Sequence, residues 1–444
     1  MKPDSKSRQL LAKKFSRAQT LHREGALTQA RSLYLSILAV EPDHVDALHF
    51  LGFLSHQMAD SDTALKLIRK SLQLQPSNIP AINNLGNVLL DKGQLEEAEA
   101  CYRKVIEQQP QEASNFSNLC VALRQQGRLE EAIEAGQTSV RMDPKSAMCW
   151  YTLGNAYKLA QRSGEAIDCF QRSVELNPRQ PIAHDALCQV TYRLEGKSFL
   201  GRRRWKRTIR AYQQWLASDP DQPLAIFMLK ALQNGSKLTR VPDEVIRAQF
   251  NKAASRFESR LERLEYRVPA LMDGALQKHR GRGRGDLVVL DGGCGTGLCA
   301  AMLKRYANSL TGVDLSAEMM RHADKLGLYD ELIEQELTAF MQAQTDRFDL
   351  VLYADTLCYF GDLHDVIAAT CGALRRQGMV IFSVEKQSTG SGYQLHPNGR
   401  YTHTKNYIEK VLRECGFATL ECNGESLRLE LGRSVPGLIF VAQR

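Results

Sequence analysis

Apolar residues recur with helical spacing over the first half of the chain, and the pattern itself repeats. Prolines fall at Pro42, Pro76, Pro110, Pro144 and Pro178, each 34 residues after the one before. Ala30, Ala64, Ala98, Ala132 and Ala166 keep the same period, and Leu51-Gly52, Leu85-Gly86 and Leu153-Gly154 share another slot. Tyr34, Tyr102 and Phe170 follow four residues behind an alanine. This spacing predicts two antiparallel helices per unit, with small residues where backbones cross, large ones in the gaps, and proline ending the second helix. The next proline in that slot is Pro220, 42 residues on, which predicts a lengthened sixth unit that ends the array. Residues 222–268 lose the repeat slots but keep helical periodicity through Val245, Phe250, Phe257, Leu261 and Leu264, and predict a bridging helix or two.

From residue 287 the texture changes to apolar strands alternating with helices. LVVLDGGCGTG, LTGVDLS, RFDLVLYADTLCYFGDL and GMVIFSVEK read as strands, and ESLRLELGRSVPGLIFVAQR as two more joined by a Gly-containing turn. The expected architecture is α followed by α/β: a helical array over 1–220, a helical linker over 221–268, and an α/β domain over 269–444.

A chain of 444 residues exceeds one core and suits this division. Hydrophobic residues are 43% and charged residues 24%, and no run reaches the ~18 apolar residues of a membrane span, so the expectation is a soluble protein. The basic opening segment lacks the apolar core of a secretory signal and reads as a first helix rather than a transit peptide. Eleven cysteines without a CxxC pair fit a reducing compartment and a cytoplasmic location. The net charge of +8 gathers in two runs, Arg202 to Arg207 and Lys278 to Arg284, which a solvated helix face and a surface loop explain as well as a phosphate track would. Trp205 is the sole interleaved aromatic, so nucleic acid is not indicated, and no ligand spacing calls for a metal.

The chemistry lies in the second half. A strand running into Gly293, Gly295 and Gly297 needs glycine because the backbone takes unusual dihedrals and a ligand must approach without a side chain in its way. Asp314 ends the second strand, 23 residues after Asp291, where a carboxylate can bind two ribose hydroxyls. Asp355 and Thr356 emerge at the carboxyl end of the fourth strand, where open α/β sheets bind ligands. His396, Tyr401 and His403 lie in a later loop and could take a proton from an acceptor, or His403 could cap the next helix while Tyr401 packs.

The 34-residue units resemble tetratricopeptide repeats over about residues 11 to 178. That resemblance implies a binding platform for a protein or peptide, though a spacer or assembly arm has the same pattern. Asn84 and Asn118 share the sixth slot of their units and Asn87 and Asn155 the ninth; side-chain amides in rows suit an extended peptide backbone. They are similar to the asparagine ladders of O-linked glucosamine transferases, and plain helix packing would also account for them.

The run DGGCGTG is similar to motif I of class I S-adenosylmethionine methyltransferases, rather than to dinucleotide or phosphate-loop patterns. The resemblance implies a Rossmann-like seven-stranded domain with a reversed last strand, and S-adenosylmethionine as methyl donor. It assigns Gly293, Cys294, Gly295 and Gly297 to the methionine moiety, Asp291 to its amino end, Asp314 with Leu315 to the ribose, and Glu336 with Leu337 to the adenine. Asp355 would both touch the donor and be catalytic, with Tyr401 and His403, and Tyr359 and His396 would touch the acceptor. Cys294 is a small loop residue there, not a nucleophile. Residues 250–269, Tyr359-Phe360-Gly361 and GRYTHT resemble a family of predicted bacterial methyltransferases that carry tetratricopeptide repeats, in which the first segment lids the cofactor. The fourth strand lacks the Pro-Pro-Tyr and Pro-Cys signatures of DNA methylation. Three functions follow as expectations: N- or O-methylation of a protein or peptide recruited by the repeats, methylation of a small molecule with the repeats serving assembly, or an inactive cofactor-binding scaffold.

Overall fold

A computed structural model describes residues 5–196, 205–233, 238–430 and 432–444. Arg202, Arg203 and Arg204 of the first basic run lie outside the described residues. The chain forms two compact units, Met1–Ser218 and Asp219–Arg444.

The first unit is helical: α1 (Ser5–Arg23), α2 (Leu27–Val40), α3 (Val45–Gln57), α4 (Ser61–Leu74), α5 (Ile79–Asp91), α6 (Leu95–Gln108), α7 (Ala113–Gln125), α8 (Leu129–Met142), α9 (Ala147–Leu159), α10 (Ser163–Leu176), α11 (Pro181–Gly196) and α12 (Lys206–Ser218). The five repeat alanines are fully buried, as are Tyr34 and Phe170, with Tyr102 at 1% exposure. A side-chain device missed in the sequence keeps the same period: Ser71, Ser139 and Ser173 donate to the carbonyls of Val45, Ala113 and Ala147, the first residue of each unit. The lengthened sixth unit is the pair α11 and α12, with Trp205 stacked on Tyr192 at 4.5 Å.

The second unit opens with α13 (Pro223–Leu232), α14 (Asp243–Ala253), α15 (Phe257–Arg263) and α16 (Val268–Arg280). Then come β1 (Leu287–Gly292), α17 (Ala300–Lys304), β2 (Ala307–Asp314), α18 (Ala317–Asp324), β3 (Glu331–Glu334), α19 (Leu337–Gln342), β4 (Phe348–Tyr353), α20 (His364–Ala373) and β5 (Leu374–Lys386). The chain ends with a short hairpin of β6 (Tyr393–Leu395) and β7 (Tyr401–His403), α21 (Lys405–Glu414), β8 (Ala418–Glu430) and β9 (Arg433–Gln443). β3-β2-β1-β4-β5 pair in parallel, and β9 joins β5 antiparallel with β8 outside it. This is the expected seven-stranded Rossmann-like order with a reversed last strand, enlarged by the β6–β7 hairpin on the end of β5.

Strand alternation sends side chains to two cores. Leu350 and Leu352 pack with Val289, Ile381 and Val441 under α16 and α17, whereas Val351 and Tyr353 pack with Phe382 and Phe440 against α20 and α21. Among the described residues no helix is long and apolar enough to cross a membrane.

The repeat slots are tight enough to test. A Cβ on Gly154 would sit 2.7 Å from the ring of fully buried Phe170. Alanine gains roughly 1 kcal/mol over glycine within a helix, but overpacking a rigid core costs about 1–3 kcal/mol. Gly154→Ala is therefore expected to lower the denaturation midpoint of the helical unit by circular dichroism; an unchanged or raised midpoint would contradict the tight crossing.

Candidate active site

The carboxyl ends of β1, β2 and β4 open into a cavity of about 300 Å³, roofed by side chains of α13, α14 and α15. Its floor is the turn after β1. Gly293, Gly295 and Gly297 all have positive φ, at 74°, 55° and 88°, which L side chains rarely adopt. A Cβ on Gly295 would point into open space, its nearest neighbour being Phe257 of the roof at 4.0 Å. Cys294 is buried in this turn, and burial pushes its thiol well up, so it is no thiolate nucleophile.

Asp314 reaches the turn from β2. Its Oδ2 accepts from Gly295 N–H at 2.9 Å and its Oδ1 from Ser316 N–H at 2.8 Å, while burial raises its carboxyl against those bonds. Asp291 is 1% exposed and accepts from Tyr329 O–H at 2.7 Å. Burial pushes it up to about 7, and among the described residues no cationic side chain pairs with it. Leu315 and Leu337 line the same cavity. Glu336 caps α19, accepting from Thr338 and Ala339 N–H, and pairs with Arg240 at 3.1 Å. Burial alone would raise it; the backbone donors and Arg240 hold it below the usual range.

The roof is tied down at named points. Asn251 of α14 accepts from Ser316 O–H at 2.6 Å, and Arg247 donates to Leu315 carbonyl at 3.3 Å. Residues 239–241 run beside the loop after β4, with Val241 N–H on Tyr359 carbonyl and Gly361 and Asp362 N–H on Thr239 carbonyl. Phe250 meets Phe257 and Tyr359 edge-on at 6.0 and 5.6 Å.

The polar group opposite the glycine turn centres on a residue the sequence reading passed over. Arg400, preceding Tyr401 in GRYTHT, donates to Asp355 Oδ1 at 2.5 Å, Glu385 Oε1 at 2.5 Å and Tyr359 Oη at 2.8 Å. Arg428 of β8 donates to the same Glu385 oxygen at 2.7 Å and to Glu430 at 3.3 Å. Glu385 is 5% exposed; burial would raise it, but Arg400 and Arg428 hold it below the usual glutamate range. Asp355 has φ 58°, held by its N–H on Ser383 Oγ at 2.8 Å. The matched GRYTHT segment was a usable signal for Arg400; Glu385 and Arg428 lie in strands with nothing to mark them.

Tyr401 and His403, expected to serve the acceptor, are placed elsewhere. Both are fully buried and neither is among the cavity residues. Tyr401 donates to Leu238 carbonyl at 2.9 Å, and His403 Nε2 to Gly361 carbonyl at 3.0 Å. Burial lowers His403 to about 4, leaving it neutral at physiological pH. His396 bonds Thr402 Oγ1 at 2.8 Å, also outside the cavity residues. Asp355 and Tyr359 do face it.

The repeat asparagines are half-buried and engaged within the array. Asn84 Nδ2 lies 2.8 Å from His49 Nε2, Asn118 donates to Asn83 Oδ1 at 3.0 Å, Asn87 accepts from Tyr102 O–H at 2.7 Å, and Asn155 donates to Tyr151 carbonyl at 2.9 Å.

Residues 290–382 match the family model of a methyltransferase domain, and residues 83–147 and 147–180 match two models of tetratricopeptide repeats. The chain is similar to the ubiquinone biosynthesis O-methyltransferase of Serratia proteamaculans, at 28% identity over 214 residues, 42% of this chain and 88% of that protein. Among solved structures, the 1,6-didemethyltoxoflavin-N1-methyltransferase of Burkholderia thailandensis aligns at 20% identity and TM-score 0.38, covering 45% of this chain and 88% of that one. MamA from Desulfovibrio magneticus aligns at 24% identity and TM-score 0.35, covering 38% and 96%.

The glycine turn, the two acids and the domain match define the class: tetratricopeptide repeats joined to a methyltransferase domain that uses S-adenosylmethionine. The residues present fit that donor. Gly295 leaves open the space a side chain would fill, Asp291 lacks a cationic partner, and Thr296 Oγ1 is buried beside the cavity without a hydrogen bond.

The arginine–carboxylate cluster generates a stability prediction. Removing one partner of a buried ion network costs about 3–5 kcal/mol. Glu385→Gln should therefore lose roughly 3 kcal/mol in urea unfolding at neutral pH. Because the folded carboxyl titrates below its unfolded value, its contribution is present above the ordinary glutamate range and is lost as pH falls through the folded value. The gap between variant and parent should accordingly narrow on acidification, and a gap constant with pH would contradict the charge-based origin.

Proposed function

We propose that this enzyme methylates an oxygen, or failing that a nitrogen, on a compact acceptor whose apolar body enters the chamber beneath α13–α15. The observation that carries this reading is that the glycine turn, Asp355 and an apolar wall of Phe227, Met228, Ile246 and Phe250 share one cavity of about 300 Å³. That volume is at the small end of ligand pockets and suits one small molecule beside part of the donor, not a folded surface. The name of the matched relative, an O-methyltransferase, supports oxygen as the acceptor atom.

In this reading Gly293, Cys294, Gly295 and Gly297 admit the methionine moiety, Asp291 faces its ammonium, Asp314 with Leu315 takes the ribose hydroxyls, and Leu337 beside Glu336 flanks the adenine. When bound, S-adenosylmethionine would supply the methyl group, and Asp355 would take the proton that the acceptor gives up. The roof excludes water and aligns the acceptor. Of the three residues expected to be catalytic, Asp355, held by Arg400, keeps that role in this reading, and Tyr401 and His403 do not.

A second reading has a peptide side chain enter the same chamber after capture by the repeats, and the continuous stack of α3, α5, α7, α9 and α11 favours it, since such arrays present extended binding surfaces. Tritiated methyl transfer by the full chain and by residues 219–444 separates the two. Retained transfer to small acceptors by the shorter chain supports the first; transfer lost with the repeats overturns it in favour of the second.

Two outcomes test the donor site. Asp314→Ala should abolish calorimetric uptake of S-adenosylhomocysteine while leaving the unfolding midpoint near that of the parent. Asp291, pushed up to about 7 in the free protein, must ionise to face an ammonium group. Uptake should then release a proton below that pH, and affinity should fall about tenfold per pH unit under pH 6. Asp291→Asn should flatten this profile, and an equal slope in both proteins would exclude Asp291 as the ammonium partner.

A further inference from the structure

The cluster around Arg400 leaves two hydrogen-bond donors uncommitted at the cavity. Arg428 is 5% exposed and lines the cavity, yet its Nη1 makes no hydrogen bond among the described residues; the carboxylate oxygen it pairs with most loosely, Asp355 Oδ1, is 3.7 Å away and already accepts from Arg400. A buried guanidinium N–H without a partner costs free energy, and Nη2 of the same group is fully used on Glu385 and Glu430. Tyr359 accepts from Arg400, and among the described bonds its own O–H donates to nothing. The guanidinium can only give a hydrogen bond and Tyr359 still has its O–H to give, so an oxygen with free lone pairs would complete both.

The charge of the cluster narrows the ligand further. Arg400 and Arg428 are matched by Asp355 and Glu385 within the buried group, with Glu430 at its rim. An acceptor carboxylate would add a further negative charge to a group in which three carboxylates already meet two guanidiniums, and an ammonium would face those two guanidiniums; either is costly where water is excluded. We propose, building on the reading of this cavity as the acceptor chamber, that Arg428 and Tyr359 are the specificity-determining pair and select an uncharged acceptor carrying a carbonyl-type oxygen beside the hydroxyl that reacts. The carbonyl oxygen takes the Arg428 and Tyr359 donors, and the hydroxyl is left turned toward Asp355.

Three probes of one size test this on the full chain, with S-adenosylhomocysteine bound for the affinity readings and labelled S-adenosylmethionine for the transfer readings: 2-hydroxyacetophenone, which is neutral, salicylate, which is anionic, and 2-(aminomethyl)phenol, which is cationic. Saturation-transfer NMR titration reads their affinities, and tritiated methyl transfer reads KM and kcat for the neutral probe. The neutral probe is expected to bind at least tenfold more tightly than either charged one. Arg428→Lys keeps the charge on Glu385 but loses the fork, and Tyr359→Phe keeps the ring; each should weaken the neutral probe about five- to tenfold, raise KM more than it lowers kcat, and leave S-adenosylhomocysteine uptake unchanged. Equal or tighter binding of a charged probe overturns the proposal, as does parent-like affinity in both variants, or no binding of the neutral probe at millimolar concentration. In each of those cases intact S-adenosylhomocysteine uptake leaves the donor site standing; its loss in the parent protein would sink the enzymatic reading and this inference together.

Discussion

A parallel sheet ends its strands along one edge, and here that edge collects Asp291, Asp314, Asp355 and Glu385 where water scarcely reaches. Carboxylates so placed must be paired, hydrogen-bonded or protonated. The protein answers differently on the two sides of the cavity. Asp314 is satisfied by backbone N–H groups, and Asp291 has a phenol but no cation, so this side is electrostatically incomplete. Across from it, Asp355 and Glu385 are closed into a network by two arginines. The glycine-turn side thus lacks positive charge, while the Arg400 side already holds its own.

The helical segment ahead of the sheet gives this edge its dielectric. Phe227, Met228, Ile246, Phe250 and Phe257 place apolar surface over charged groups, which strengthens each ion pair below them. The segment is fastened by a few polar points: Asn251 and Arg247 on the loop after β2, and residues 239–241 on the loop after β4. Both loops belong to the cavity, so the roof is secured by the elements it covers.

The repeat array follows a simpler logic, in which one packing solution recurs every 34 residues and the buried Ala, Tyr or Phe and Ser slots recur with it. Its asparagines bond to neighbours within the array, so they stiffen the helix stack before they could meet any ligand.

The sequence by itself determined the two-part architecture, the repeat period and the glycine turn after the first strand. These rest on local or periodic constraints: small residues at helix crossings, strand alternation, glycines at positive φ, and an acid at a strand end. It did not distinguish Arg400 from Tyr401 and His403, neighbours within four residues. Strand β7 turns Tyr401 and His403 into buried packing, whereas Arg400, just before it, faces the cavity. Nor could it join Glu385 and Arg428, 43 residues apart. Only the tertiary structure decided these, because pairing among buried charges depends on which side chains the sheet brings within about 3 Å, and that distance has no local signature in the chain.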